Sequence, residues 1–270
     1  MNVTPPQRHW LTIVVLAAAA VVLAAIALVV AVTRGADESA PAGALPTATP
    51  SGSTSPATGT AAPSKSPEPA TFAYQPLFPF AGTGEADAWV RQARPGGHQP
   101  WHDDPGTVAL MFTQQHLGYT SLEKVTSSLI QGEQAWIGVG FENPNGAPAT
   151  AAVLHLVRIG TAPNGPWEVV GTEDTTLALT TPAYAASVGS PVQVGGRITG
   201  VDESLQVQVR GGNGPQPAGS AAPVPAGGTN TPWTVSVPFT AICPATLTVA
   251  VATGGHVAEI ERFAVTGVKC

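Results

Sequence analysis

The run from Leu11 to Val32 constrains this chain most: 22 residues, apolar throughout except for the hydroxyl of Thr12. At a rise of about 1.5 Å per residue it reaches roughly 33 Å as a helix, enough to cross the hydrocarbon core of a bilayer. A cleaved signal peptide has an apolar region of about 7–15 residues closed by a small-x-small site. This run is longer, and Thr33-Arg34-Gly35-Ala36-Asp37-Glu38 supplies no such site. The pattern predicts a retained transmembrane helix over residues 11–33, a short cytoplasmic tail over residues 1–10, and an extracellular remainder. Arg8 and the amino terminus oppose Arg34 in the positive-inside count. Orientation therefore rests on the acidic Asp37 and Glu38 beyond the run and on Trp10 at its inner interface.

Export narrows the chemistry that follows. Only 10% of residues are charged and the net charge is -6, so the chain lacks the basic stripe that phosphate backbones require, which excludes nucleic acid as a partner. Residues 34–71 are dominated by Pro, Ala, Ser, Thr and Gly, as in Pro46-Thr47-Ala48-Thr49-Pro50. Such a segment has too little to bury to offset the entropy of ordering, and predicts a disordered linker that spaces the rest from the membrane.

Residues 72–180 read as helices followed by an antiparallel meander. Asp104 is placed as a helix N-cap, Pro105 at the first helical position, and Val108, Met111 and Phe112 on one face, with Gly118 as the stop. Ile137, Val139 and Phe141 then alternate with Trp136, Gly138 and Gly140. Asn143-Pro144-Asn145-Gly146 marks a hairpin turn, and strands follow at Ala151 to Ile159, Trp167 to Val170 and Thr175 to Leu179. That order predicts an α+β domain and resembles NTF2-like and cystatin-like units. Thr181-Pro182 is the expected boundary. In residues 181–270, Leu205, Val207 and Val209 alternate with Gln206, Gln208 and Arg210, and Leu247, Val249 and Val251 repeat the pattern. Short strands at this density predict an all-β, immunoglobulin-like sandwich, with Gly211 to Thr231 as an exposed mobile loop.

The motifs Gly189-Ser190-Pro191-Val192, Gly195-Gly196-Arg197-Ile198-Thr199-Gly200-Val201, Pro238-Phe239 and Glu261-Arg262-Phe263-Ala264-Val265 resemble the immunoglobulin-like domain of bacterial spore germination known as Gmad2. The resemblance covers the C-terminal domain alone. It implies an extracytoplasmic accessory or binding domain of Gram-positive bacteria, a setting in cell-wall processes or spore germination, and no catalytic residues. The fold class expected for the whole chain is a membrane-anchored, two-domain ectodomain, α+β and then sandwich.

Three sets of residues could carry chemistry. If the strands around Leu247 and Ile260 form a hairpin turning near Gly254-Gly255, Cys243 and Cys270 lie at one end of it. An oxidising compartment then lets them bridge, the alternatives being two free thiols or an intermolecular bridge through Cys270. The segment Gly96 to Asp104 gathers the metal donors His98, His102, Asp103 and Asp104, with His116 further on. No regular element converges them, and capping already accounts for Asp104, so a structural loop outweighs a zinc site. Paired acids such as Glu173-Asp174 and Asp202-Glu203 suit solvated edges. No catalytic motif and no cofactor emerges. The expected function is non-catalytic binding or scaffolding in the cell envelope, through contact with wall polymer or an envelope protein. The alternative is small-ligand binding or metal-dependent hydrolysis in the 72–180 domain, with His98, His102 and Asp103 at its mouth.

Overall fold

The structure, a computed structural model, describes residues 72–173, 175–211 and 216–270. The tail over 1–10, the transmembrane helix over 11–33 and the linker over 34–71 lie outside the described residues. Among the described residues, no helix is long and apolar enough to cross a membrane. They fall within one compact unit.

Two helices, α1 (Thr83–Gln92) and α2 (Pro105–Met111), come first. Strands β1 (Lys124–Gln131), β2 (Gln134–Glu142), β3 (Pro148–Arg158) and β4 (Trp167–Thr172) form an antiparallel meander in the order β1-β2-β3-β4. A second, six-stranded sheet contains β5 (Leu177–Thr181), β6 (Val192–Gly211), β7 (Gly219–Ser220), β8 (Val224–Val237), β9 (Thr246–Thr253) and β10 (Arg262–Lys269). Its organiser is β6, 20 residues long. The first half of β6 pairs with β5, the second half with β9 and β7, and β8 follows it from Leu205↔Val224 to Val192↔Val237.

This arrangement corrects the expected fold class. The described chain is mostly antiparallel β in two sheets, and the helices are too small to form the layer of an α+β domain: α1 has 10 residues and α2 has 7. Strands β9 and β10 of the second sheet help to close the first core instead. On β9, Ala250 and Ala252 face the core of the four-stranded sheet, while Leu247, Val249 and Val251 face the core enclosed by the second. On β10, Phe263 and Val265 face the first core, and Ala264 and Val268 the second. The β9–β10 hairpin is thus a wall with no wet face: from Leu247 to Thr253 every residue of β9 is buried, and Val249 to Val251 runs apolar without alternation.

The expected mobile loop from Gly211 to Thr231 is also corrected, because it contains β7 and the first half of β8. Val224, Pro225, Ala226 and Gly228 pair with β6 through their backbone, and the side chains of this stretch stay half-buried or exposed. Backbone pairing at an edge, where Pro is tolerated, leaves no hydropathy signal to read.

The β9–β10 hairpin is fastened at both ends. Cys243 and Cys270 form a disulfide with Cα atoms 5.4 Å apart, and the amide of Cys270 donates to the carbonyl of Ala245 at 3.0 Å. At the turn, Glu261 Oε1 accepts from the amides of His256 (2.8 Å) and Val257 (2.6 Å).

Candidate functional site

A cleft of about 470 Å³ opens between α1, the turn that precedes α2 and the π-helical turn Phe112–His116 that follows it. Local chemistry sets each wall. In α1, Ala86 and Trp89 lie one turn apart and are buried, which presses Trp89 against Phe80 and Ile159. Asp87 ties α1 to the loop after β3, accepting from the amide of Thr161 at 2.7 Å and its hydroxyl at 3.0 Å. Asp104 caps α2 by accepting from the amide of Thr107 at 2.7 Å. Between the two helices, the 3-10 turn Pro100–Asp103 carries Trp101 into the wall and His102 into the floor.

His102 is 4% exposed and caged by three rings, with centroids at 4.7 Å from Phe80, 4.8 Å from Trp89 and 3.8 Å from Trp101. Neither of its ring nitrogens has a hydrogen-bond partner, and the same is true of Trp89 Nε1. Desolvation lowers the pKa of His102 to about 4, against the opposing charge of Asp103. His116, also lining the cleft, stacks on Phe112 at 5.3 Å and meets Thr248 Oγ1 at 3.3 Å through Nε2. Burial, with Arg210 nearby, lowers its pKa to about 4 as well. Both imidazoles are therefore neutral at pH 7.

The residues flagged as metal donors go to different places. His98 is exposed on the loop. Asp103 is held by Arg94, through contacts of 2.8 and 3.1 Å, and that guanidinium also reaches the carbonyl of Asn164 at 3.0 Å. Of the flagged donors, His102 and His116 line the cleft, and Asp104 caps α2. Among the described residues, no group of three or more His, Cys, Asp or Glu side chains is placed to hold a metal ion.

Two features escape a sequence reading. Glu168 on β4 is fully buried; its Oε2 accepts from the amide of Phe80 at 3.0 Å, while Oε1 has no partner. Burial pushes its pKa well above the ordinary value, the Phe80 amide opposing and the Glu85 charge adding to the rise. A carboxyl whose folded pKa exceeds its unfolded one binds more protons when folded. Its contribution is favourable at low pH and declines, by up to about 1.4 kcal/mol per pH unit, as pH climbs towards the folded pKa. His102 and His116 act in the opposite sense below about pH 6.5, so the comparison must isolate Glu168. In melting curves from pH 4.5 to 8, Glu168→Gln is expected to gain on the parent progressively with pH. Parallel profiles would show that the carboxyl is not the cause.

The second feature is the outer edge of the four-stranded sheet. β1 pairs with β2 and, among the described residues, with no other strand. It exposes Val125 (42%), Leu129 (51%) and Ile130 (53%). A bulge between Val125 and Ser127 sets Val125 opposite Val139 and Ile130 opposite Ala135, both on the core-facing side. Leu129 lies opposite Trp136 on the outer face, where Trp136 stacks on His155 at 5.2 Å. Compared with known proteins, the chain matches no family model, no curated protein and no solved structure.

Proposed function

We propose that the chain is a non-catalytic binding and scaffolding protein of the bacterial cell envelope, held at the plasma membrane by residues 11–33 and displayed outside on residues 34–71. Its partner is an extended polypeptide segment of another envelope protein, which adds as a strand along β1. The observation that carries this reading is the unprotected edge. Natural edge strands are shortened, charged, bulged, interrupted by Pro or covered, because bare backbone donors and acceptors recruit other chains; the bulge of β1 lies near its start, at Val125–Ser127. β1 spans eight residues without Pro; its one charge, Lys124, lies 3.6 Å from Glu142, and beyond the bulge Ser127 to Gln131 runs regularly. Strand addition would take affinity from this backbone and selectivity from the flanking Leu129 and Ile130. The resemblance of the motifs between Gly189 and Val265 to Gmad2 domains supports an extracytoplasmic accessory role.

The test is a photo-crosslinking residue at Ser128 in the full-length chain, expressed in its own organism. A discrete adduct with one envelope polypeptide is expected, and the double variant L129K/I130K, which alters only exposed side chains, should abolish it. No adduct, or one indifferent to that variant, would remove the proposal.

A further inference from the structure

We infer that the cleft beside His102 is a binding site for an uncharged carbohydrate, taking one or two sugar rings of an oligosaccharide between its aromatic walls. This site is separate from β1 and does not depend on it. Its size, about 470 Å³, lies within the roughly 300–1,000 Å³ of small-ligand pockets. A sugar ring has an apolar C–H face and a periphery of hydroxyls, and the cleft matches both. Phe78 and Trp101, each half-buried, stand with ring centroids 6.0 Å apart and planes inclined by 24°, presenting flat apolar surface. Around them, Gln92, Gln99 and Gln115 bring amides to the exposed rim; each amide offers both donors and an acceptor to hydroxyls.

Charge decides against other small ligands. Glu85 is the one charged residue of the lining, and no Lys or Arg is part of it. A phosphate or carboxylate would be desolvated there without a counter-charge, at a cost well above that of a hydroxyl. The neutral state of both histidines removes the remaining source of positive charge.

The floor of the cleft is polar and unsatisfied. His102 is more than nine-tenths buried and carries two unpartnered nitrogens, and Trp89 Nε1 beside it is unpartnered too. Buried polar groups are nearly always satisfied, and each one left unpaired costs about 1–3 kcal/mol. A neutral imidazole offers one donor and one acceptor, and a hydroxyl has both capacities in turn. These nitrogens are shut off from solvent beneath the rings, so a saccharide hydroxyl would satisfy them only with a shift of that ring cage.

The experiment titrates the full-length protein in nanodiscs with two neutral probes, the β-1,4-linked tetramers of N-acetylglucosamine and of glucose, and with inorganic phosphate, following tryptophan fluorescence and calorimetric heat. At least one tetramer is expected to bind saturably, unchanged between 50 and 500 mM salt, and phosphate is expected not to bind. Trp101→Ala should weaken binding at least tenfold, whereas Trp101→Phe, which keeps a flat face, should retain most of it. His102→Phe, which keeps the packing and removes both polar atoms, should also weaken it. Sedimentation with isolated cell-wall sacculi, competed by the tetramer, would assign the ligand to wall glycan; binding of the soluble tetramer alone would assign it to free saccharide. No tetramer binding at 10 mM, binding indifferent to both Trp101→Ala and His102→Phe, or binding of phosphate only would overturn the inference. L129K/I130K should leave saccharide binding intact, so failure here and failure of strand addition at β1 are read separately.

Discussion

Replacing Phe263 with alanine is expected to lower stability by about 3–5 kcal/mol, the range for a large aromatic lost from a packed core, and to weaken both sheets together. Phe263 is 1% exposed on β10, and its ring meets Tyr119 edge-on at 5.4 Å in the core under the four-stranded sheet. Its neighbour Ala264 points into the other core. A cavity on one side of this wall lets β10 shift, and the shift is felt on the far side because packed interiors transmit small displacements. For a unit of this size each kcal/mol moves the melting temperature by about 2–4 °C, so a fall on the order of 10 °C is expected. Hydrogen exchange should accelerate in β2 of the first sheet and in the first half of β6 of the second by similar factors. Two separate calorimetric transitions, one of them unmoved, would show that the sheets unfold independently.

What the sequence made legible is what short-range chemistry determines. Asp104-Pro105 needs only Thr107 to cap a helix, and the alternation at Leu247, Val249 and Val251 needs only its own strand to show an apolar face. The partnership of the two sheets was not legible, because Ala250 and Ala252 carry too little side chain to declare a second buried face. Only the approach of the four-stranded sheet gives them one. Near Thr181-Pro182 the chain passes from the first core to the second, Leu177 already lying in the second, while residues from β9 and β10 line both. In the cleft, His102 was conspicuous as a donor, but its surroundings come from Phe80, Trp89 and Trp101, brought together by the segment before α1, by α1 and by the 3-10 turn Pro100–Asp103. Glu168 did leave a trace: a lone acid inside Trp167-Glu168-Val169-Val170, where alternation alone would have let it face water. The strand instead lies under Phe80, whose amide donates to a carboxyl oxygen of Glu168.

Removing the Cys243–Cys270 bridge is expected to cost about 3–4 kcal/mol, the value chain entropy gives for a closed loop of this size, the two residues being 27 apart in sequence. The loop it closes contains all of β9 and β10, so the reduced chain regains freedom in the strands that both cores share. Opening should begin at the cysteine end. There Ala245 and Cys270 exchange backbone hydrogen bonds of 3.0 and 3.4 Å, and Cys243 is exposed while Cys270 packs against the second core. The Glu261 turn at the other end should hold longer. Such a bridge persists where the surroundings are oxidising and is rare where thiol reductants are abundant, which fits the proposed place outside the membrane. The double variant C243S/C270S should melt about 10 °C below the parent, and its amide exchange should rise first at Thr246 and Lys269 and last at Thr253 and Arg262. A melting temperature within 2 °C of the parent would show that the backbone pairing alone secures the hairpin. In that case export would not be a condition for the fold, and the disulfide would cease to support the envelope assignment.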